Sequence, residues 1–130
     1  MYKKVEIIFY VADQYRSRGF YENLLGMAPV LDVPGMTEFE LLQGVKLGLM
    51  PEGGGAKIIT PALPHPKEGN GIPRCELYLF VDDVPASYRN ALDSGAMAIS
   101  PALDREWGHR VAYVADPDGH VIAFAQKLAS

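Results

Sequence analysis

Two octapeptides in this chain read as one strand written twice. Glu6–Asp13 is EIIFYVAD and Glu76–Asp83 is ELYLFVDD. Side by side, Glu matches Glu, an aliphatic residue comes after each (Ile7, Leu77), an aromatic precedes each Val (Tyr10, Phe80), and each ends in Asp. The helices next in the chain repeat as well. Arg16–Leu25 sets Phe20, Tyr21, Leu24 and Leu25 along one helical stripe, and Gly26 stands where a helix C-terminus needs a left-handed residue. Val84, Tyr88, Ala91 and Leu92 make the second stripe, with Asp83 as its N-cap and Gly95 as its stop. Gly26 comes thirteen residues after Asp13, and Gly95 twelve after Asp83. Such a repeat constrains the fold more than any single motif, because each copy must be a supersecondary unit of the same kind.

The remaining segments complete the two copies. Pro34-Gly35 and Gln43-Gly44 punctuate the strands Thr37–Leu42 and Val45–Met50. Arg110–Ala115 and Val121–Ala125 fold back on a turn at Asp116-Pro117-Asp118-Gly119, where Pro117 pre-sets φ and Gly119 tolerates positive φ. The chain therefore scans as an α+β protein of two tandem βαβββ modules forming a curved mixed sheet, one domain over residues 1–130. Module 1 covers about residues 1–50 and module 2 about 75–130. Between them, Pro51–Arg74 is rich in Pro and Gly, with Lys57–Thr60 its one plausible extended piece; it reads as a linker or a lid. Side chains alternate faces along a strand. Glu6, Ile8 and Tyr10 thus share one face, and Ile7, Phe9 and Val11 share the other, which should pack against helices.

Trp107–Gln126, WGHRVAYVADPDGHVIAFAQ, resembles the last hairpin of the vicinal oxygen chelate superfamily, and FYENLLGM at residues 20–27 resembles a recurrent phrase of it. That superfamily includes glyoxalase I, extradiol dioxygenases, fosfomycin-resistance enzymes and bleomycin-resistance proteins. The resemblance implies that the modules curl into a cup, with Glu6 and Glu76 at the places of its metal ligands. Each last strand there usually adds a Glu four residues after the turn glycine. Here that position is Ala123, and Val45–Met50 carries Lys46 but no carboxylate. His65, His109 and His120 lie in or beside presumed loops, off those positions. Glu6 and Glu76 are then the metal candidates that remain, and the expectation is a protein without a cofactor. Another role is open to each: a structural carboxylate paired with Arg74, Arg110 or a lysine. Two carboxylates in one apolar cup need a cation, a metal or a shared proton between them.

Glu106-Trp107-Gly108, a basic residue, a strand and the D-P-x-G turn resemble the bleomycin-resistance branch, where a Trp here stacks on a flat heteroaromatic group. The interval from Trp107 to Asp116 is one residue longer in this chain. Plain packing is the other role open to Trp107. Met36 and Phe39 are candidates for an opposing wall, with Tyr10, Tyr78 and Phe80 lining the Glu faces. The resulting expectation is a small-molecule binding protein that holds a flat, neutral or cationic ligand with Glu6, Tyr10, Phe39, Glu76, Tyr78 and Trp107. The alternative is a divalent-metal-dependent lyase, transferase or dioxygenase using Glu6 and Glu76; a third is a scaffold with a vestigial cup. The resemblance also implies a homodimer, in which modules of two chains can be exchanged.

Composition narrows the partners further. A net charge of −4 without a basic cluster argues against a nucleic-acid surface. No apolar run is long enough to span a bilayer and no secretory h-region is apparent, so no membrane partner and a cytoplasmic location are expected. Cys75 is the single cysteine, which excludes an intrachain disulfide, and it reads as structural. Nucleophile elbow, P-loop, dinucleotide and H-E-x-x-H patterns are all absent.

Overall fold

In the computed structural model, which describes residues 1–129, the two repeats become two compact units, Met1–Asn70 and the residues from Gly71 on. The first runs β1 (Val5–Val11), α1 (Gln14–Leu25), β2 (Leu31–Val33), β3 (Met36–Leu42), β4 (Val45–Pro51) and α2 (Glu52–Ile59). Its sheet has the order β1-β4-β3-β2, with β1 parallel to β4 and the other neighbours antiparallel. Asp13 caps α1, its Oδ1 accepting the Arg16 N–H at 3.0 Å, and Gly26 ends the helix at φ 68°. The helix begins two residues earlier than its apolar stripe suggests, because the cap and not the stripe sets the start. Phe20, Tyr21 and Leu24 are buried with Phe9, Val11, Phe39, Leu47 and Leu49. Ile7, expected in that core, is 37% exposed near the start of β1.

Gln14 ties the start of α1 to the β2–β3 hairpin. Its Nε2 donates to Val33 O at 2.8 Å and Thr37 Oγ1 at 2.9 Å, while its Oε1 accepts the Gly35 N–H at 2.9 Å. The buried Thr37 hydroxyl in turn donates to Asp32 Oδ1 at 2.8 Å, and Arg18 pairs with Asp32 at 2.9 Å.

The second unit repeats the plan: β5 (Glu76–Phe80), α3 (Val84–Asp93), β6 (Met97–Asp104), β7 (His109–Ala115) and β8 (Val121–Lys127). Its sheet has the order β5-β8-β7-β6 with β5 parallel to β8. Asp83 caps α3, accepting from Ala86 N–H at 3.1 Å, and Gly95 comes after the final turn at φ 100°. Two tandem βαβββ modules forming mixed sheets are therefore present, as the repeat requires.

Two local expectations change. Of Lys57–Thr60 only Thr60 is extended; Glu52–Ile59 is helical in spite of three consecutive glycines. Helix propensity disfavours those glycines, but packing requires them. A Cβ on Gly55 would lie 2.6 Å from the Tyr10 ring, so only glycine lets α2 approach β1 this closely. Cys75 is exposed, not part of a buried strand entry. Among the described residues no helix is long and apolar enough to cross a membrane.

Candidate functional site

On the second unit α3 covers one face of the sheet and leaves the other without a helix. Register places Tyr78 opposite Ala123, and Ala123 opposite Tyr113, so these three share the helix-free face. Glu76 and Phe80 join them by strand alternation. Val111, Ala123 and Ala125 form a fully buried apolar base, on which Tyr78 and Tyr113 pack.

The polar ends of this cluster are tied together. Trp107, on the turn between β6 and β7, donates its indole N–H to the Tyr78 hydroxyl at 3.0 Å. The same hydroxyl lies 2.7 Å from His109 Nδ1. Phe80 stands edge-on to both rings, 5.5 Å from Tyr78 and 5.2 Å from His109 between centroids. Trp107 and Phe80 nevertheless remain 52% and 59% exposed. Two large aromatic surfaces are thus held in place and left facing solvent.

Arg105 closes the far side. Its Nη2 donates to Ser100 Oγ at 2.8 Å and Val111 O at 2.9 Å, which fixes the guanidinium 5.2 Å from the centre of the Tyr113 ring. Burial, then the charge of Glu76, then Tyr78 push the Tyr113 phenol above its ordinary value of 10.0, and Arg105 only partly offsets them. Tyr113 therefore stays a neutral hydroxyl.

The first unit carries the equivalent acidic position. Glu6 pairs in register with Lys46, and Ile8 with Gly48. A Cβ on Gly48 would meet Glu6 Oε2 at 2.5 Å, so the carboxylate lies across the bare glycine. Glu38 shares a hydrogen bond with Glu6, while Lys46 Nζ holds Glu38 Oε1 at 3.2 Å. Desolvation of the carboxyl over Gly48, then the bond and repulsion from Glu38, raise the Glu6 pKa above 4.5, against the attraction of Lys46. A raised acid favours the folded state most below 4.5 and loses that contribution as pH climbs through the raised value. Glu6→Gln should therefore flatten the fall in stability above that point, by at most about 1 kcal/mol for a group this exposed. Urea melts across pH measure this; an unchanged slope would show that the Glu6 carboxyl is not raised in the folded state.

Of the sequence candidates, Tyr78 and Trp107 are brought into direct contact, with Glu76 on the same face. Tyr10 is half-buried beneath α2. Phe39 is a correction: it is fully buried on the helix side, 6.5 Å from the Tyr21 ring. Met36 and Glu38, of opposite strand parity, share the face of Glu6 and Ile8 instead. His109, Arg105 and Tyr113 were missed. His109 opens β7 and is not a loop residue, and its parity with Val111 and Tyr113 was a usable signal.

The protein-family model of the Glyoxalase-like domain matches residues 4–129. The chain belongs to that family. Among solved structures, a glyoxalase-related enzyme from Fulvimarina pelagi is 23% identical with a TM-score of 0.82, over 96% of this chain and 88% of that one. A glyoxalase/bleomycin resistance protein/dioxygenase from Nocardioides is 22% identical with a TM-score of 0.79, over 100% and 85%. An Agrobacterium tumefaciens protein solved by solution NMR is 26% identical with a TM-score of 0.76, over 99% and 100%. An uncharacterized protein of Mycobacterium tuberculosis is 38% identical over 52 residues, 40% of this chain and 31% of that protein. The match thus spans about a third of the length of such curated relatives.

A glyoxalase-like fold raises the question of a divalent metal, and the donor set does not fit one. The last-strand positions that would add a carboxylate are Gly48 and the fully buried Ala123. Glu6 is already engaged with Glu38, beside the ammonium of Lys46. Among the described residues no three His, Cys, Asp or Glu side chains converge to hold an ion.

Proposed function

We propose that this glyoxalase-like protein binds a flat small molecule on the helix-free face of its second unit and performs no chemistry on it. One observation carries the reading: Trp107 is half exposed, yet its N–H is anchored to Tyr78. A solvent-facing indole gains little stability from such an anchor, but a stacking surface gains pre-organisation. Phe80 supplies a second apolar edge. Glu76 supplies a negative charge that favours a cationic ring, with Glu6 at the equivalent place on the other unit.

Trp107 is the sole tryptophan, so its emission reports this one surface. Titration with planar heteroaromatics, neutral and cationic, should quench or shift that emission saturably for at least one class. Trp107→Leu should weaken that binding about two- to tenfold, the range of a stacking contribution of roughly 0.5–1.5 kcal/mol. Emission unmoved by a compound that another assay shows to bind would make Trp107 a packing residue.

The protein is further proposed to act as a homodimer in the cytoplasm. β1 and β5 are edge strands of their sheets, and Val5, Ile8 and Phe80 are exposed on them. Association covers such edges, and a reducing compartment suits the exposed Cys75. Light scattering at micromolar concentration should return twice the chain mass; a monomer would remove the dimer.

A further inference from the structure

We infer that the Trp107–Tyr78–His109 chain of hydrogen bonds fixes His109 as its Nε2–H tautomer, and that this N–H selects flat ligands carrying an acceptor in the ring plane. The inference rests on the platform proposed above and adds the chemistry at its rim.

The proton inventory decides the tautomer. An indole nitrogen is a donor only, so the Tyr78 oxygen must accept from Trp107. The phenol has one proton of its own, and the neighbour 2.7 Å away is His109 Nδ1. If Tyr78 donates to Nδ1, that nitrogen is the bare one and the ring proton of neutral His109 resides on Nε2. The reverse tautomer would give the Tyr78 oxygen two incoming donors. Its own O–H would then lack an acceptor among the described residues, and so would Nε2 a donor. The first arrangement leaves only the Nε2–H of the trio without a partner among the described residues; the other leaves two groups unpaired in a half-buried site.

The imidazole ring directs Nε2 away from Nδ1, and therefore away from Tyr78. Nε2 has no hydrogen-bond partner among the described residues. His109 shares the helix-free face with Val111 and Tyr113, and its ring is held edge-on at 83° against Phe80. A planar ligand resting on Trp107 and Phe80 thus meets a fixed N–H donor at its edge. A ring carbonyl, N-oxide or carboxylate satisfies that donor; a ring without an acceptor leaves it unpaired. Tyr78 is the positioning residue, since one hydroxyl orients both the stacking indole and the donor imidazole.

Two measurements test this. Nitrogen-15 NMR of the imidazole, at a pH where His109 is neutral, should show the proton on Nε2; a proton on Nδ1 overturns the assignment. Tyr78→Phe should release the tautomer preference and shift the Trp107 indole N–H resonance. For selection, 1-methyl-4-quinolone, which has an in-plane carbonyl, is compared with 1-methylquinolinium, which has none. His109→Phe keeps an aromatic ring and should weaken the quinolone about three- to tenfold, the range of one neutral hydrogen bond. The quinolinium should change less than twofold. Equal loss for both compounds, or none for the quinolone, overturns selection while the platform stands. Failure of the wild-type protein to bind either compound overturns the platform and the selection with it. Should His109→Phe not fold, the same comparison with Tyr78→Phe must show the quinolone weakened more than the quinolinium, and the absence of that difference is equally decisive.

Discussion

Phe39→Ala is expected to cost about 3–5 kcal/mol of folding stability, the range for deleting a buried aromatic ring. Phe39 is fully buried, opposite Leu47 in register and 6.5 Å from Tyr21. Removing it opens a cavity between β3 and α1 that the sheet is unable to close. A loss of that size is a large share of the roughly 5–15 kcal/mol that holds a domain together. Urea denaturation should show it as a lower midpoint, and Trp107→Leu should stay within about 1 kcal/mol of wild type by the same method. If Phe39→Ala instead left stability within about 1 kcal/mol and abolished ligand binding, Phe39 would belong to the ligand wall after all.

The second large effect belongs to Gly119→Ala. Gly119 has φ 90°, a conformation costly for any residue with a Cβ, and the added carbon would lie 2.8 Å from Gly71 Cα and 3.2 Å from Gly71 O. The turn has little freedom to retreat. Asp116, 4% exposed, accepts the backbone N–H of Asp118 at 2.9 Å and of His120 at 2.8 Å, and Gly119 N–H donates to Asp116 O at 3.0 Å. Conformational strain of about 1–3 kcal/mol and the forced displacement of the Gly71 backbone together should total about 2–4 kcal/mol. That is a drop of roughly 10 °C in Tm for a chain of this size. Gly95→Ala is the control, since its φ is 100° but nothing lies within 4 Å of the added carbon. Equal Tm losses in the two variants would show that the contact with Gly71 contributes nothing.

Much of the fold was readable in one dimension because its causes are local. The matching octapeptides, the apolar stripes and the caps at Asp13 and Asp83 each depend on residues within a few positions. The hydrogen bonds that Arg16 N–H donates to Asp13 and Ala86 N–H donates to Asp83 span only three residues. Strand parity was also local, and it was enough to separate Met36 from Phe39, three positions apart and therefore on opposite faces.

The candidate site depended on distance in another sense. Tyr78 meets His109 across 31 residues and Trp107 across 29. Those contacts exist because β5 pairs parallel to β8, β7 pairs antiparallel to β8, and the β6–β7 turn returns Trp107 over the same face. No periodicity within a short window encodes which strand lies beside which. The helical state of Glu52–Ile59 has the same origin, since its glycines oppose a helix locally and only the nearness of the Tyr10 ring explains them. By itself the sequence determined the two βαβββ modules, their caps and the faces of their strands, because backbone geometry and solvent exclusion act along the chain. Tertiary structure alone decided that Glu6 lies over Gly48 beside Glu38, that Phe39 belongs to the core, and that one tyrosine hydroxyl joins a tryptophan to a histidine. Strand register places those groups within a few ångströms, and register is a property of the assembled sheet.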